Sequence, residues 1–151
     1  MKERDKNSLS FPKDGRLHHR SLVEGLFRLG KSFYEFPFRI FWRVLTPAEL
    51  ELNFRNNVPA GVGNVQMMIS VPKKKRRRAV DRVQMRRRIR EAYRLNRRKL
   101  MELVENKADI GTLSIGIVYI HDQNLPYASV EEKVKNILLK IQSRLTKNEL
   151  Q

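Results

Sequence analysis

The chain has 151 residues, no cysteine, and a formal net charge of +16 from 32 Lys and Arg against 16 Asp and Glu. Without cysteine there is no disulfide framework, thiolate metal site or thiol nucleophile; no apolar run approaches the roughly 20 residues that cross a bilayer, and the charged N-terminus has no signal-peptide core. A length of this order suits one soluble domain with a real core, and the composition predicts a cytoplasmic protein with no membrane partner.

Residues 1–13 are polar and predict a mobile N-terminal tail, with a single domain over residues 14–147. Ser21 with Glu24 has the spacing of a capping box, Leu22, Val23, Leu26, Phe27 and Leu29 supply a helical apolar face, and Gly30 is placed to end the helix. Residues 36–45 then alternate as a strand does. Phe38, Ile40, Trp42 and Val44 point one way, towards a core, and Arg39, Phe41 and Arg43 point the other. A basic, aromatic, basic face either tracks a single-stranded backbone while stacking a base, or is an edge strand guarded by charge. Residues 46–64, with Pro47, Pro59, Gly61 and Gly63, read as an irregular connection. Residues 65–71 are too apolar for an exposed edge and predict an inner strand, ended by Pro72.

Residues 73–99 hold 15 of the 32 basic side chains against only Asp81 and Glu91, so 13 of the 16 net charges lie there. Elsewhere 17 basic residues face 14 acidic ones. A polyanion therefore meets one element of this protein. From Asp81, with Gln84 as a capping box, Met85, Ile89, Ala92, Tyr93, Leu100, Leu103 and Val104 recur at helical spacing and predict one long amphipathic helix. Arg82, Arg86, Arg90 and Arg94 recur every four residues and form a row away from that stripe, with Arg87 beside it. A solvated helix face normally mixes Glu with its Lys and Arg, because like charges four apart repel by a few tenths of a kcal/mol. A like-charged row fits phosphate, which the arginine fork grips with paired hydrogen bonds. Lys73 and Lys74 form its basic lead-in. The pattern over 73–78 also matches a nuclear import signal, but a strand before it and a helix after it fit the lead-in reading better.

Gly111 marks a turn, residues 113–120 a further strand, and Ser129 with Glu132 the start of a last helix with Val130, Val134, Ile137, Leu138, Ile141 and Leu145 on its core face. The order αββαβα predicts an α+β two-layer sandwich of helices on a small mixed sheet. No catalytic constellation stands out. His18 and His19 are adjacent and His121 is alone, so none suggests a metal site; Asp109 and Asp122 are isolated carboxylates near strand ends. By its own side chains the protein reads as a binder. A DNA-reading basic zipper would need heptads that Gly111 interrupts, and a protein-only nuclease would need a carboxylate cluster for two metals.

The run AVDRVQMRRRIREAYR over residues 79–94, the preceding SVPKK over 70–74, and RL at Arg16 and Leu17 ahead of a short helix ending FRLG resemble the protein subunit of bacterial ribonuclease P, in a Bacteroidetes-like form. The resemblance covers about residues 15–145. It implies a ribosomal-protein-like α/β fold with a left-handed βαβ crossover, an exception to the usual right-handed rule. It also implies a protein cofactor to a ribozyme: the catalytic RNA subunit, ribonuclease P RNA, removes the 5′ leader of precursor tRNA using Mg²⁺ bound mainly by RNA. Lys74, Arg82, Arg86, Arg87 and Arg90 fall on basic positions of the family motif and Phe27 and Phe41 on aromatic positions of its leader groove; with the charge row and strand face read above, Lys73, Lys74, Arg82, Arg86, Arg87, Arg90 and Arg94 are expected to bind RNA, and Phe27, Arg39, Phe41 and Arg43 the leader, with no metal site and no protein partner. The family's helix usually begins Arg-Asn-Arg where this chain has Arg82, Val83 and Gln84, and Val23 stands at a usual aromatic position. A basic ribosomal protein or RNA chaperone is the alternative use of the same charge.

Overall fold

The computed structural model describes residues 15–148, and the tail expected over residues 1–13 lies outside them. The elements are α1 (Arg20–Leu29), β1 (Lys31–Glu35), β2 (Phe38–Leu45), α2 (Pro47–Asn53), β3 (Val65–Ser70), α3 (Ala79–Asn96), α4 (Arg98–Glu105), β4 (Thr112–Tyr119) and α5 (Tyr127–Asn148). The strands form one mixed sheet in the order β1-β2-β4-β3. β2 is antiparallel to β1 and to β4, while β3 runs parallel to β4. Parallel neighbours need a crossover, and α3 with α4 provides it.

Alternation along the strands separates two cores. Phe38, Ile40 and Trp42 of β2 and Leu113, Ile115, Ile117 and Tyr119 of β4 face α3 and α5, whose stripes supply Met85, Ile89, Ala92 and Tyr93 and then Val130, Val134, Ile137, Leu138, Ile141 and Leu145. Full burial of each such side chain stabilises by about 1.5–3 kcal/mol, so this face dominates the fold. The opposite face carries a smaller cluster of Leu17, Leu22, Leu26, Leu45 and Leu50 beneath α1 and α2. Helices on a small mixed sheet are thus what the sequence pattern predicts, with α1 and α2 adding a partial layer on the second face.

Several element boundaries differ from expectation. The strand expected over residues 36–45 starts at Phe38, and β1 precedes it as the other arm of a hairpin. Within the expected irregular connection, Thr46 accepts from the Glu49 N–H at 3.1 Å while the Glu49 carboxylate accepts from the Thr46 N–H at 3.2 Å, a full capping box with Pro47 in the first turn of α2. The three capping boxes that were expected do not form. Helix α1 is capped at His19 and α3 at Arg78, neither with a side-chain cap, and the Val130 N–H donates to the Pro126 carbonyl, so α5 starts before Ser129. Other partners take Ser21, Asp81 and Gln84 instead. Ser21 Oγ accepts from Asn53, Asp81 pairs with Arg76 at 3.0 Å, and Gln84 accepts from Asn124. The single long helix is two, α3 and α4, joined at the buried Arg97. Gly111 marks a turn because a Cβ there would lie 2.9 Å from Pro47.

Candidate nucleic-acid interface

The aromatic part of the interface follows from the pleat of β2. Trp42 is buried beneath α3 and α5, so Phe41 emerges on the α1 side. There its ring meets Phe27 of α1 edge to face at 4.8 Å between centroids. Gly116 of β4 lies directly across from Phe41 in the register, and a Cβ there would meet Leu26, Phe27 and Phe41. The glycine lets α1 settle onto the sheet and brings the two phenyl rings together. The Arg39 guanidinium lies 4.7 Å from the Phe41 ring and 5.4 Å from the ring of Tyr34, across the hairpin on β1. Its Nε is buried without a hydrogen-bond partner. Arg43 lies against α1 at Gly25, where any Cβ would collide with Nη1. Phe27, Arg39, Phe41 and Arg43, expected at one surface, are together, and Tyr34, 63% exposed, joins them. Tyr34 was missed because β1 itself was not predicted.

The arginine row on α3 divides into committed and uncommitted side chains. Arg82 Nη1 donates to the carbonyls of Arg76 and Arg77 at 2.9 and 2.7 Å, tying down the loop before the helix. Arg94 grips Glu91 through Nε and Nη2 at 3.0 and 2.6 Å, which holds the Glu91 carboxyl below its usual range by hydrogen bonding to the guanidinium. Arg88 donates to the Leu125 carbonyl at 2.5 Å. Arg86, Arg87 and Arg90 have no hydrogen-bond or ion-pair partner among the described residues, and the same is true of the exposed Lys73 and Lys74. The row therefore offers its charge mainly through Arg86, Arg87 and Arg90. Arg76, outside the expected set, anchors the lead-in by bonding Asp81, Asn124 and the Asp122 carbonyl. Val83, at one of the departures from the family pattern, is 45% exposed on this helix.

Arg86 and Arg90 also face a groove of about 370 Å³ whose far wall is Arg16 and His18, over Met67, Met68 and Ile69 of β3. Leu17 donates to the Met67 carbonyl at 3.1 Å, so the segment leading into α1 lies along β3 and sets that wall. Sequence reasoning missed Arg16 and His18 because their partner strand lies about fifty residues downstream. Adjacency of His18 and His19 was expected to keep them off a shared face, yet in the extended lead-in their rings lie 4.2 Å apart between centroids, tilted by 33°. His121 instead approaches Asp122 at 3.4 Å and the Phe36 ring at 5.3 Å. Among the described residues no group of three or more His, Asp or Glu side chains could hold a metal ion, and no helix is long and apolar enough to cross a membrane.

Residues 11–142 match the Ribonuclease P family. The ribonuclease P protein components of two Porphyromonas gingivalis strains are each 29% identical to the chain over 129 residues, covering 85% of it and 84% of their own length. Among solved structures, the RNase P proteins of Staphylococcus aureus and Thermotoga maritima share the fold with TM-scores of 0.54, at 17% and 19% identity, covering 84% and 82% of this chain and 94% of each of theirs. The matched region takes in the basic helix, the sheet and the aromatic pair alike, and the chain belongs to the Ribonuclease P family.

Proposed function

We propose that the protein is the RNA-binding subunit of ribonuclease P, acting in the cytoplasm with a catalytic RNA to remove the 5′ leader of precursor tRNA. Arg86, Arg87 and Arg90, with Lys73 and Lys74, neutralise RNA phosphates, while Arg82 and Arg94 hold the helix and its lead-in in shape and add charge around it. Phe27 and Phe41, flanked by Arg39 and Arg43, stack unpaired leader bases. No carboxylate lines the groove beside α3, so its donor set does not suit Mg²⁺, and the metal that hydrolysis uses is assigned to the RNA. The protein's part is to lower the repulsion between two polyanions brought together at one surface.

The observation that carries this reading is the set of uncommitted arginines on a helix whose other side is locked into the main core. The test is to add the protein to a bacterial ribonuclease P RNA at limiting Mg²⁺ and follow cleavage of precursor tRNA. Site-specific 5′ cleavage should rise with protein concentration to a plateau set by the RNA. RNA binding with no gain in cleavage would favour a ribosomal protein or RNA chaperone.

A further inference from the structure

The groove between the lead-in to α1 and the basic helix has an apolar floor of Met67, Met68 and Ile69, and its charged side chains, Arg16, Arg86 and Arg90, are all cationic. His18 Nδ1 lies 3.0 Å from the Arg16 carbonyl oxygen. A carbonyl only accepts, so Nδ1 carries the proton, and in the uncharged imidazole Nε2 is an acceptor. The exposed ring lies against the tilted ring of His19, 4.2 Å between centroids, and the His19 ring in turn meets Phe54 edge to face at 5.6 Å. His19 is kept below the ordinary imidazole range chiefly by burial. Across the groove stand Arg86 and Arg90, one helical turn apart and uncommitted. A ligand that satisfies both walls must present an anion to the arginines and a hydroxyl donor to the imidazole.

We propose that this groove binds a ribonucleotide of single-stranded RNA, Arg86 and Arg90 taking its phosphodiester and His18 Nε2 accepting from the adjoining ribose 2′-OH. The 2′-hydroxyl is the group that separates RNA from DNA, so the groove is a sugar-reading site and not only a patch of charge. The inference deepens the proposed function and rests on it for the nature of the ligand. It lies on the β3 side of the molecule, apart from the pair made by Phe27 of α1 and Phe41 of β2.

Fluorescence anisotropy at pH 8 with the full chain and two ten-nucleotide probes, oligocytidine and its 2′-deoxy counterpart, tests it. The wild type should bind the ribose probe roughly three- to tenfold more tightly, the worth of one hydrogen bond. His18→Ala should erase that ratio by weakening the ribose probe alone, and His18→Gln, which keeps an acceptor oxygen, should retain part of it. Arg86→Gln with Arg90→Gln should weaken both probes and preserve the ratio. Equal affinity of the wild type for both probes, or equal weakening of both by His18→Ala, overturns the proposal. The ribonucleotide could belong to the leader or to ribonuclease P RNA. Binding of precursor tRNA with an all-deoxy leader to the reconstituted complex separates these: a loss that disappears in His18→Ala places the leader in the groove, and no loss places the catalytic RNA there. Stimulated cleavage without ribose discrimination leaves the proposed function standing and removes this inference; discrimination without stimulated cleavage does the reverse.

Discussion

Phe41 and Trp42 are bonded neighbours with opposite fates, because successive side chains of a strand leave opposite faces of the sheet. Trp42 is 2% exposed under the main helices, so Trp42→Ala should destabilise the fold by about 3–5 kcal/mol, as truncation of a buried aromatic does. Phe41 meets Phe27 and the Arg39 guanidinium on the other face. Stacking of an aromatic on an unpaired base contributes roughly 1–3 kcal/mol, so Phe41→Ala should weaken binding of leader-bearing precursor tRNA by about tenfold while mature tRNA affinity stays nearly constant. Equal losses for both substrates would reverse the assignment of the two faces. This much was legible because the period of a strand is two, which needs no tertiary knowledge. The place of Tyr34 beside Arg39 was not, since it depends on a hairpin pairing that alternation in β2 does not specify.

At the scale of elements, apolar stripes were the readable signal and polar caps were not. The stripe on α3 packs as its spacing predicts, whereas Ser21, Asp81 and Gln84 spend their hydrogen bonds on partners up to 40 residues away. Nothing in residues 94–100 breaks a helix, no Gly and no Pro, so the joint at Arg97 had no sequence signal. The capping box of α2 did have one, Thr46 with Glu49, hidden among the prolines and glycines that mark a loop. The arginines on α3 give a sharper expectation than their spacing alone. Changing Arg86 and Arg90 to Gln should flatten the dependence of log affinity on log salt by about 0.7–0.9 per lost phosphate contact, with thermal stability nearly unchanged. Arg82→Gln should instead loosen the lead-in that Arg82 holds through two carbonyls, lowering the melting temperature more than it alters the slope. A slope unchanged in the double variant would remove those arginines from the phosphate contacts.

Helix α5 is tied to β1 through Glu35, which meets Lys140 at 2.5 Å and Lys133 at 3.9 Å. The hydrogen bond from Lys140, with the charges of Lys140 and Lys133 and a bond from Asn136, outweighs burial and lowers the Glu35 carboxyl below its usual range. A carboxylate depressed on folding stabilises above its unfolded value, about 4.3 for glutamate, and that stability is lost as pH falls through the lower folded value. Glu35→Gln should therefore melt at a lower temperature than wild type at pH 7, and the gap should close towards pH 3. A gap independent of pH would mean that Glu35 acts by packing alone.

For the whole molecule, the decisive feature is how unevenly charge is distributed over a conventional core. The segment over residues 73–99 holds 13 of the 16 net positive charges, and the crossover between parallel β3 and β4 turns that segment into a helix with one side buried. A folded cationic helix meets a polyanion without the ordering cost of a disordered basic tail. Among the described residues this surface presents arginine side chains, aromatic rings and the His18 imidazole, a set suited to binding a polyanion. Purified protein, freed of RNA and of contaminating nuclease, should leave precursor tRNA intact at any Mg²⁺ concentration, and the specific 5′ cut should come only with ribonuclease P RNA. Gel analysis of end-labelled precursor tRNA decides it. A specific 5′ product from the RNA-free protein would move hydrolysis onto the chain and require a metal-binding carboxylate set that the described interface does not provide.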